Sequence, residues 1–397
     1  MIVFEIILFS YFGFVTIYTL IMALAGLVNI NPYKNATEKQ NRIAVLIPSY
    51  KEDQVIVHTA TSALEQDYPS DKYKVVVIAD SLQPETVASL KKLPIHVTEV
   101  VFDLSTKVKS LNAAMSEIGD DFDIILILDA DNVMETDFVS KINRAFNAGH
   151  HAIQGRRVAK NMNTPFAFLD TISEVINNHV YRKGHVALGL SSAVIGSGMA
   201  FEYSSFKKIL GSIHAVGGFD RVVEMSYIER GYKITYLHDA VVYDEKVDNP
   251  QHFQNQRRRW LSAQFIYLRE YFGKGMKLLF KGNFDYFNLS IIHTIILPRI
   301  LNLGLMSILT FTAILLNPWL HFGFLPWVII LGTFVFTFFV SIPRNLYNAN
   351  MLRAILYLPQ AFIILFKSLF NLKGANKKFI HTPHSSVEVD KSLTQNK

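Results

Sequence analysis

The segment from Ile124 to Asn132 restricts the fold more than any other part of this sequence. It begins with five branched apolar residues and continues as Asp129-Ala130-Asp131-Asn132. A short, unbroken apolar run predicts a strand buried on both faces, as in parallel sheets covered by helices. On an extended backbone the side chains of Asp129 and Asp131 point the same way. Two carboxylates beyond the end of such a strand favour a divalent cation bound together with an anionic ligand.

The chain before this segment repeats the same pattern. Short apolar runs alternate with helical stretches, which predicts an α/β fold with a mixed, mostly parallel sheet flanked by helices. The three earlier predicted strands are residues 43–47, 74–78 and 96–101. In such sheets ligands bind beyond the carboxyl ends of the strands, so the functional residues are expected there.

Polar residues suited to a nucleotide follow the first two predicted strands. Pro48, Tyr50 and Glu52 come after the first strand, and Asp80 comes after the second. Glu52 or Asp80 can accept a hydrogen bond from a base N–H or a ribose hydroxyl, and the Tyr50 ring can stack on a base. Each residue alone would also suit a turn or a helix cap. Their shared position at strand ends favours a nucleotide site.

Lys107 begins a predicted helix that leads into the carboxylate strand. Its ammonium group, together with the amino terminus of the helix, can attract a diphosphate, whereas Lys109 is the alternative and suits a solvated face. Further along, the glycines of Gly196-Ser197-Gly198 permit close approach of the backbone to a sugar or an acceptor. A plain tight turn would show the same glycines.

Two later positions complete the candidate site. Asp220 lies at the start of a predicted amphipathic helix, where it could cap the helix or act as a general base for a sugar hydroxyl. On a later helix Gln256, Arg259 and Trp260 fall at i, i+3 and i+4 and share one face suited to a ligand. The residues between them, Arg257 and Arg258, are expected to point elsewhere, towards phospholipid. An interfacial membrane anchor is the alternative for this segment.

The composition indicates a membrane protein. Hydrophobic residues make up 50% of the chain and the mean hydropathy is +0.23. Residues 6–31 carry no charge and are long enough to cross a bilayer, and Lys34, Lys39 and Arg42 follow, which predicts a cytoplasmic middle domain. A signal peptide is the alternative, but the apolar run is long and Glu5 precedes it.

The C-terminal third is expected to return to the membrane. Residues 287–316 and 322–342 suit two spans, whereas 351–370 suits an interfacial or re-entrant helix or a further span. His293 and Arg299 lie in or near the first of these spans, where ionisable groups face protein, water, a polar substrate or the headgroups. The net charge of +6 is gathered near apolar segments, which favours anionic lipid over nucleic acid. The absence of cysteine excludes disulfides and thiolate chemistry.

These observations predict the following organisation. It consists of an N-terminal anchor (1–33), a cytoplasmic α/β domain (42–264), an amphipathic interfacial segment (265–286), two transmembrane helices (287–343), the interfacial or re-entrant helix (351–370) and a basic, then disordered, cytoplasmic tail (371–397).

The order of these motifs resembles the membrane-bound family-2 glycosyltransferases, which include cellulose, chitin and hyaluronan synthases. The matching segments are 47–52, Asp80, 107–112 including Asn112, 129–131, Asp220 and 256–260. The resemblance implies a GT-A (Rossmann-like) fold, a nucleotide sugar donor that is usually a UDP-sugar, inversion at the anomeric carbon and Mg²⁺ or Mn²⁺ as cofactor.

The resemblance also implies a role for each matched residue. Asp131 would bridge the cation to the donor diphosphate, Asp129 would contact the donor or support the metal, and Asp80 would contact the uridine. Gln256, Arg259 and Trp260 would contact the diphosphate and the acceptor sugar.

The base assignment departs from the family pattern. The family presents Glu-Asp before the base helix, whereas this chain has Phe219-Asp220, so Glu224, one helical turn on, remains an alternative base. Residues 379–383 weakly resemble the gating loop of cellulose synthase but lack its final basic residue.

The predicted function is extension of a polysaccharide or glycolipid at the cytoplasmic face of the cell membrane by a multi-pass enzyme. A single transfer to a lipid-linked sugar is the alternative, because three or four spans are few for a polymer channel. From another class, the chain could be a transporter or scaffold with a degenerate nucleotide fold. The expected partners are the nucleotide sugar, a glycan or lipid-linked acceptor and membrane lipids, with partner membrane subunits as an option and no nucleic acid.

Overall fold

The computed structural model describes residues 2–213 and 218–372, together with residues 374 and 389. The chain divides into two compact units. The first, here called the sheet unit, contains residues 30–162 and 190–246. The second, here called the helical unit, contains residues 1–29, 163–189 and 247–373. Gly217, residues 379–383 and most of the predicted 371–397 tail lie outside the described residues.

One eight-stranded sheet forms the centre of the sheet unit. Its strands in chain order are β1 (Ile43–Tyr50), β2 (Tyr73–Asp80), β3 (His96–Val100), β4 (Ile124–Ile127), β5 (Val133–Met134), β6 (Ala152–Ala159), β7 (Met199–Glu202) and β8 (Ile234–Asp244). The spatial order is β3-β2-β1-β4-β7-β6-β8-β5. Strands β3, β2, β1 and β4 run parallel, β6 and β8 are also parallel, and the remaining neighbours are antiparallel. The predicted mixed, mostly parallel sheet is therefore confirmed.

Burial explains why the apolar runs become the central strands. Every residue of β4 is buried, and residues 43–47 of β1 are fully buried. The register pairs Leu46 with Ile127 and Tyr50 with Asp80. The parallel register thus brings the polar residues after β1, β2 and β4 to one edge of the sheet, as the sequence predicts.

The α-helices are numbered in chain order through both units. They are α1 (Ile2–Ala25), α2 (Ile56–Ser62), α3 (Pro84–Leu90), α4 (Lys107–Ile118), α5 (Phe138–Asn147), α6 (Pro165–Asn177), α7 (His185–Ala187), α8 (Tyr203–Leu210), α9 (Phe219–Glu229), α10 (Pro250–Phe280), α11 (Phe284–Phe287), α12 (His293–Ile295), α13 (Arg299–Leu315), α14 (Leu325–Ser341), α15 (Ala349–Leu356) and α16 (Leu358–Leu369). Helix α4 packs against β1, β2 and β3, and α5 packs against β8. These helices cover part of the sheet.

Two π-helical segments interrupt the helical unit. Asn178–Gly184 joins α6 to α7, and Asn288–Ile292 joins α11 to α12. Helix α1 contacts the first segment, and its Tyr18 hydroxyl hydrogen-bonds to His185 Nε2, directly after that segment, at 2.8 Å. The same hydroxyl donates to Asn288 Oδ1 in the second segment at 2.9 Å. π-Helical turns are rare and often occur at functional sites, so this buried polar core is unusual for packing alone.

Helices of the helical unit lie where the sequence predicts membrane segments, but most of them are shorter or more bent than predicted. Among the described residues, α1 is the one helix that is by itself long and apolar enough to cross a bilayer. The predicted span 287–316 is broken: Phe284–Ile295 and Arg299–Leu315 meet at a bend of 55° beside Pro298. Helix α14 is apolar but has 17 residues. The predicted 351–370 helix corresponds to α15, which begins two residues earlier, and α16, and these two helices are bent by 44°. Each bent pair has the length of a span only if its two helices are counted together.

Candidate active site

The two carboxylates after β4 lie in a turn. Strand β4 ends at Ile127, and the Asn132 N–H donates to the Asp129 carbonyl at 3.1 Å. The prediction of an extended backbone at Asp129 and Asp131 is therefore wrong, because the chain makes a turn between Asp129 and Asn132. The Asp129 side chain keeps 35% of its surface exposed, whereas Asp131 is almost completely buried. The two carboxyl groups thus have different environments and different access to a ligand.

Lys107 connects the carboxylate turn to the glycine loop. Its ammonium group forms an ion pair with Asp129 and donates to the Gly196 carbonyl at 2.7 Å. It also lies 5.2 Å from the centre of the Phe219 ring. Lys109, in contrast, donates to the Leu104 carbonyl at 2.9 Å and does not share these partners. Lys107, which the sequence favours over Lys109 for binding a diphosphate, is therefore the lysine that contacts Asp129.

The loop Gly196-Ser197-Gly198 is held in place by a residue that the sequence analysis did not assign. Gln154 is fully buried on β6 and accepts from the Ile195 N–H at 3.0 Å through its side-chain oxygen. Its side-chain amide donates to the Ser197 carbonyl at 2.9 Å. No signal in the sequence indicated this role, because the partners of Gln154 are 41 and 43 positions away along the chain.

Both glycines in this loop have left-handed backbones. Gly196 has φ +82° and Gly198 has φ +59°, which an L-residue rarely adopts. A Cβ atom on Gly196 would lie 3.7 Å from Asp220 Oδ2, so the loop backbone passes directly beside this carboxylate. The glycines therefore serve both the turn and the approach to Asp220.

Asp220 is the second residue of α9 and does not cap it. The residue before the helix, Gly218, has a left-handed backbone and provides no side-chain cap. The Asp220 carboxylate accepts from the Arg221 N–H at 3.0 Å. Burial raises the pKa of Asp220 above its ordinary value, and the neighbouring Arg221 N–H and Lys107 charge partly oppose the shift. A raised pKa suits a carboxylate that must take up a proton.

Glu224, the alternative base, is fully engaged in structural contacts. One carboxylate oxygen accepts from the Val194 N–H at 3.1 Å, and the other forms an ion pair with Arg221. The side chain is almost completely buried. Glu224 therefore ties the segment leading to Gly196 to helix α9, and Asp220 is the carboxylate beside the glycine loop.

The predicted nucleotide residues lie together at the ends of β1 and β2. Asp80 is buried; its Oδ1 accepts from the Ser81 hydroxyl at 3.0 Å, and within the described part of the chain its Oδ2 has no hydrogen-bond partner. Tyr50 is its register neighbour. Lys51 and Ser81 follow these two residues with φ of 57° and 58°. Strained residues of this kind cluster at ligand sites, and the orphaned Oδ2 is suited to a donor from a ligand.

The structure gives less support for a ligand-binding role of three further predicted residues. Pro48 is half-buried within β1, and Glu52 is buried just after it. Asn112 lies on α4, and its side chain donates to the Leu210 carbonyl at 3.5 Å, which is a contact with α8. The contacts of Asn112 therefore support helix packing.

A buried charged network lies behind the carboxylate turn. Lys160 donates to the Asp131 carbonyl at 2.7 Å, and Asn132 donates to Asp244 at 3.1 Å. Ser197 donates to the Asn132 side chain at 2.5 Å and accepts from the Asp129 N–H at 2.9 Å. This network was not predicted, because its members are separated by 29 to 112 positions along the chain. It fixes the turn and the glycine loop relative to each other.

Asp129 and Asp131 fit a cation that is bound together with a ligand. Carboxylate oxygens are the ligands that Mg²⁺ and Mn²⁺ prefer. Among the described residues there is no group of three or more His, Cys, Asp or Glu side chains that could hold a metal. A cation here would take its remaining ligands from water and phosphate oxygens, as Mg²⁺ usually does in nucleotide sites.

Gln256, Arg259 and Trp260 lie on α10, which belongs to the helical unit. Trp260 is 44% exposed, and the Gln256 side-chain oxygen is buried without a hydrogen-bond partner among the described residues. The expectation that Arg257 faces phospholipid is wrong. Arg257 is buried in an ion pair with Asp170 and stacks on Trp260, with the guanidinium carbon 4.2 Å from the ring centre. A buried arginine needs such a partner, and α6 supplies it.

The sheet unit therefore brings together Lys107, Asp129, the Gly196 loop and Asp220, with the Tyr50 and Asp80 pair at the same sheet edge. This arrangement provides a cationic group and carboxylates for a diphosphate, a free acceptor for a base, and a carboxylate of raised pKa beside a loop that permits close approach. Such a set can support transfer of a group from a nucleotide to a hydroxyl.

Comparison with known proteins identifies similar glycosyltransferases. Residues 40–263 match the protein family described as "Glycosyltransferase like family 2". The chain is 22% identical over 257 residues to "Probable glycosyltransferase YdaM" of Bacillus subtilis (strain 168), an alignment that covers 61% of this chain and 60% of that protein. The chain thus spans less than two thirds of the length of this curated relative.

The fold of this chain is similar to that of a solved mannosyltransferase structure. "Mannosyltransferase PcManGT from Pyrobaculum calidifontis in complex with GDP-Man and Mn2+" has a TM-score of 0.55 at 17% identity, and the match covers 92% of this chain and 98% of that one. S. aureus TarS 1-349 in complex with UDP-GlcNAc has a TM-score of 0.37 at 14% identity, over 84% and 81% of the two chains. The first likeness shows the fold and confirms the expected GT-A class.

Proposed function

The chain belongs to glycosyltransferase-like family 2, and we propose that it is an inverting, metal-dependent enzyme that moves a sugar from a nucleotide donor to a glycan or lipid-linked acceptor at the cytoplasmic membrane face. The observation that carries this proposal is the contact of Lys107 with both Asp129 and the Gly196 loop, beside Asp220. The membrane-bound, synthase-like subtype is part of the proposal and is supported by the apolar helix α1.

Asp220 is the proposed general base. In the transfer step the acceptor oxygen forms a bond to the anomeric carbon while the bond from that carbon to the diphosphate oxygen breaks. The hydroxyl proton passes to the Asp220 carboxylate, whose raised pKa favours its uptake. Attack from the face opposite the leaving group inverts the anomeric centre, and no covalent intermediate on the enzyme is needed.

Asp129 and Asp131 would hold the divalent cation, which when bound would neutralise charge on the leaving diphosphate. Lys107 adds a fixed positive charge on the same side and orients Asp129. Electrostatic stabilisation of the charge that develops on a leaving group is usually the largest single contribution to catalysis. The nearly complete burial of the Asp131 side chain means that its orientation is set by the fold rather than by solvent.

Asp80 and Tyr50 form the proposed base site of the donor. The buried, unpartnered Asp80 Oδ2 would accept from a base N–H, and the Tyr50 ring would stack. A UDP-sugar is the first donor to test, as the family resemblance implies. A GDP-sugar is the second, since PcManGT is described as a complex with GDP-Man.

The proposal is tested with membranes containing the full chain. Nucleotide sugars are screened for diphosphate release and for transfer of labelled sugar, with and without Mg²⁺ or Mn²⁺. A polymer ladder would indicate a synthase, and one lipid-mobile product would indicate a single transfer. Asp131→Ala should abolish cation-dependent donor binding, whereas Lys34→Ala, an exposed change outside the site, is the control. Turnover by Asp131→Ala equal to that of the natural chain would refute the proposed site.

A further inference from the structure

Helix α6 and the π-helical segment after it carry a row of polar side chains inside the helical unit. Asp170, Ser173, Glu174, Asn177 and Asn178 follow one another at helical spacing, so they share one face. Three arginines from different parts of this unit bind to this face. Buried polar rows are costly among apolar helices unless each member has a partner, so the balance of charge along the row is informative.

Two of the three arginines are neutralised by carboxylates. Arg182 donates to Glu174 at 2.8 Å and to Asn178 at 2.6 Å, and its side chain is almost completely buried. Arg257 forms its buried ion pair with Asp170. These two pairs use both carboxylates of the row.

Among the described residues, the third arginine, Arg299, donates hydrogen bonds only to neutral groups. Its guanidinium donates to Asn177 Oδ1 at 2.8 Å, to the Ser173 carbonyl at 2.7 Å and to the Ser173 hydroxyl at 3.0 Å. Its other contact is the face of the Tyr181 ring, 5.9 Å from the guanidinium carbon. Three of its five N–H groups are thereby used, and in the described part of the chain the remaining two have no protein acceptor.

The position of Arg299 in the fold also disfavours its positive charge. It is the first residue of α13, where the helix dipole disfavours a cation, and Pro298 before it supplies no side-chain cap. It also follows directly on the 55° break between α12 and α13. Arg257 and Arg182 repel its charge, and Glu174, which is already paired with Arg182, attracts it. The fold thus orients a guanidinium, with two donors left over, at a break between apolar helices.

We infer that Arg299 binds the phosphate of a lipid-linked acceptor. A phosphate ester has the charge that the row lacks and the oxygens that the spare N–H groups require. A lipid tail fits the surroundings, because α13 exposes the large apolar side chains Ile308, Phe311 and Ile314 on its outer surface. Broken helices in membrane proteins present their amino-terminal ends to anionic substrate groups in the same way. This inference rests on the proposed function, and it selects a lipid phosphate as the acceptor class.

The first test measures binding and needs no turnover. The full chain in phosphatidylcholine nanodiscs is titrated with radiolabelled farnesyl phosphate, farnesol, inorganic phosphate and UDP. Removal of a charged hydrogen-bonding group costs roughly 10- to 100-fold in affinity, so Arg299→Gln should weaken farnesyl phosphate binding by about that factor. Farnesol binding should not change. Arg353→Gln removes the same charge from an exposed position of the helical unit and is the matched control.

Three results would overturn the inference. They are equal farnesyl phosphate affinity for Arg299→Gln and the natural chain, a loss by Arg299→Gln that affects UDP but not farnesyl phosphate, and binding of inorganic phosphate as tight and as dependent on Arg299 as that of farnesyl phosphate. The second result would assign the arginine to the donor, and the third would exclude a role for the lipid.

Two milder variants keep the test valid if Arg299→Gln does not fold. Ser173→Ala removes one hydroxyl that orients Arg299 without changing the charge, and Arg299→Lys keeps the charge with fewer donors. Both should weaken farnesyl phosphate binding by a smaller factor, and unchanged binding in both would overturn the inference. If no nucleotide sugar is turned over by the natural chain, the proposed function fails, but the binding result still stands on its own.

Discussion

Replacement of Asp220 by Asn removes the proposed base with little change in shape. The Asn side-chain oxygen can still accept from the Arg221 N–H, which lies 3.0 Å from Asp220 Oδ1. The substitution also removes a negative charge that interacts with Asp129. The affinity for the donor should therefore be unchanged or slightly better. The acceptor hydroxyl, however, no longer has a base to accept its proton. General base catalysis contributes about 10²- to 10⁴-fold, so we expect kcat to fall by that factor, or roughly 3–5 kcal/mol in the barrier.

The pH dependence gives the same prediction a second readout. The base acts in its ionised form, so kcat/KM should fall as the pH is lowered through the pKa of Asp220. Because burial raises that pKa, the fall should begin at a higher pH than for an ordinary Asp, whose pKa is about 3.9. Asp220→Asn should show low activity without this fall. Since burial disfavours the ionised carboxylate, the Asn variant should also keep an equal or higher Tm.

The assay separates Asp220 from Glu224. Initial rates of labelled sugar transfer are measured from pH 5 to 8 for the natural chain, Asp220→Asn and Glu224→Gln, with donor affinity measured on the same samples. Glu224→Gln keeps the acceptor for Val194 N–H but loses the ion pair with Arg221, so it should lower Tm and retain the acidic fall in rate. The reasoning is refuted if Asp220→Asn transfers sugar normally, or if the acidic fall disappears only in Glu224→Gln.

Two further substitutions test contacts that stabilise the sheet unit and the helical unit. Gln154→Leu leaves the half-buried Ile195 N–H and the buried Ser197 carbonyl without these partners, at about 1–3 kcal/mol each. We expect a lower free energy of unfolding in denaturant titrations and a loss of sugar transfer. Gly304→Ala places a methyl group against the Phe362 ring where α13 meets α16, and overpacking of this kind should cost about 1–3 kcal/mol and lower Tm, whereas Gly273→Ala, with open space around its Cβ position, should not.

The edge of the sheet at which the polar residues gather could be predicted, because the pattern that identifies it is local in the sequence. An apolar run ended by polar residues identifies the carboxyl end of a buried strand, and parallel pairing aligns these ends. Tyr50, Asp80 and Asp129 therefore lie at the edge where the sequence placed them. The turn between Asp129 and Asp131 could not be predicted in this way, because Asn132 closes it through Ser197 and Asp244, which come much later in the chain.

The charges of the helical unit show why the same reasoning fails there. Beside apolar segments, a run of three arginines is typical of a lipid-facing surface, and the sequence alone favours that role for Arg257. Its carboxylate partner, Asp170, precedes it by 87 positions, and the Ser173 that holds Arg299 precedes that residue by 126. No periodicity links residues so far apart, so only the folded chain shows which arginines are neutralised. Since Asp170 and Glu174 satisfy two of them, the remaining charge of Arg299 points to a ligand outside the protein, and a phosphate is the simplest group that completes the row.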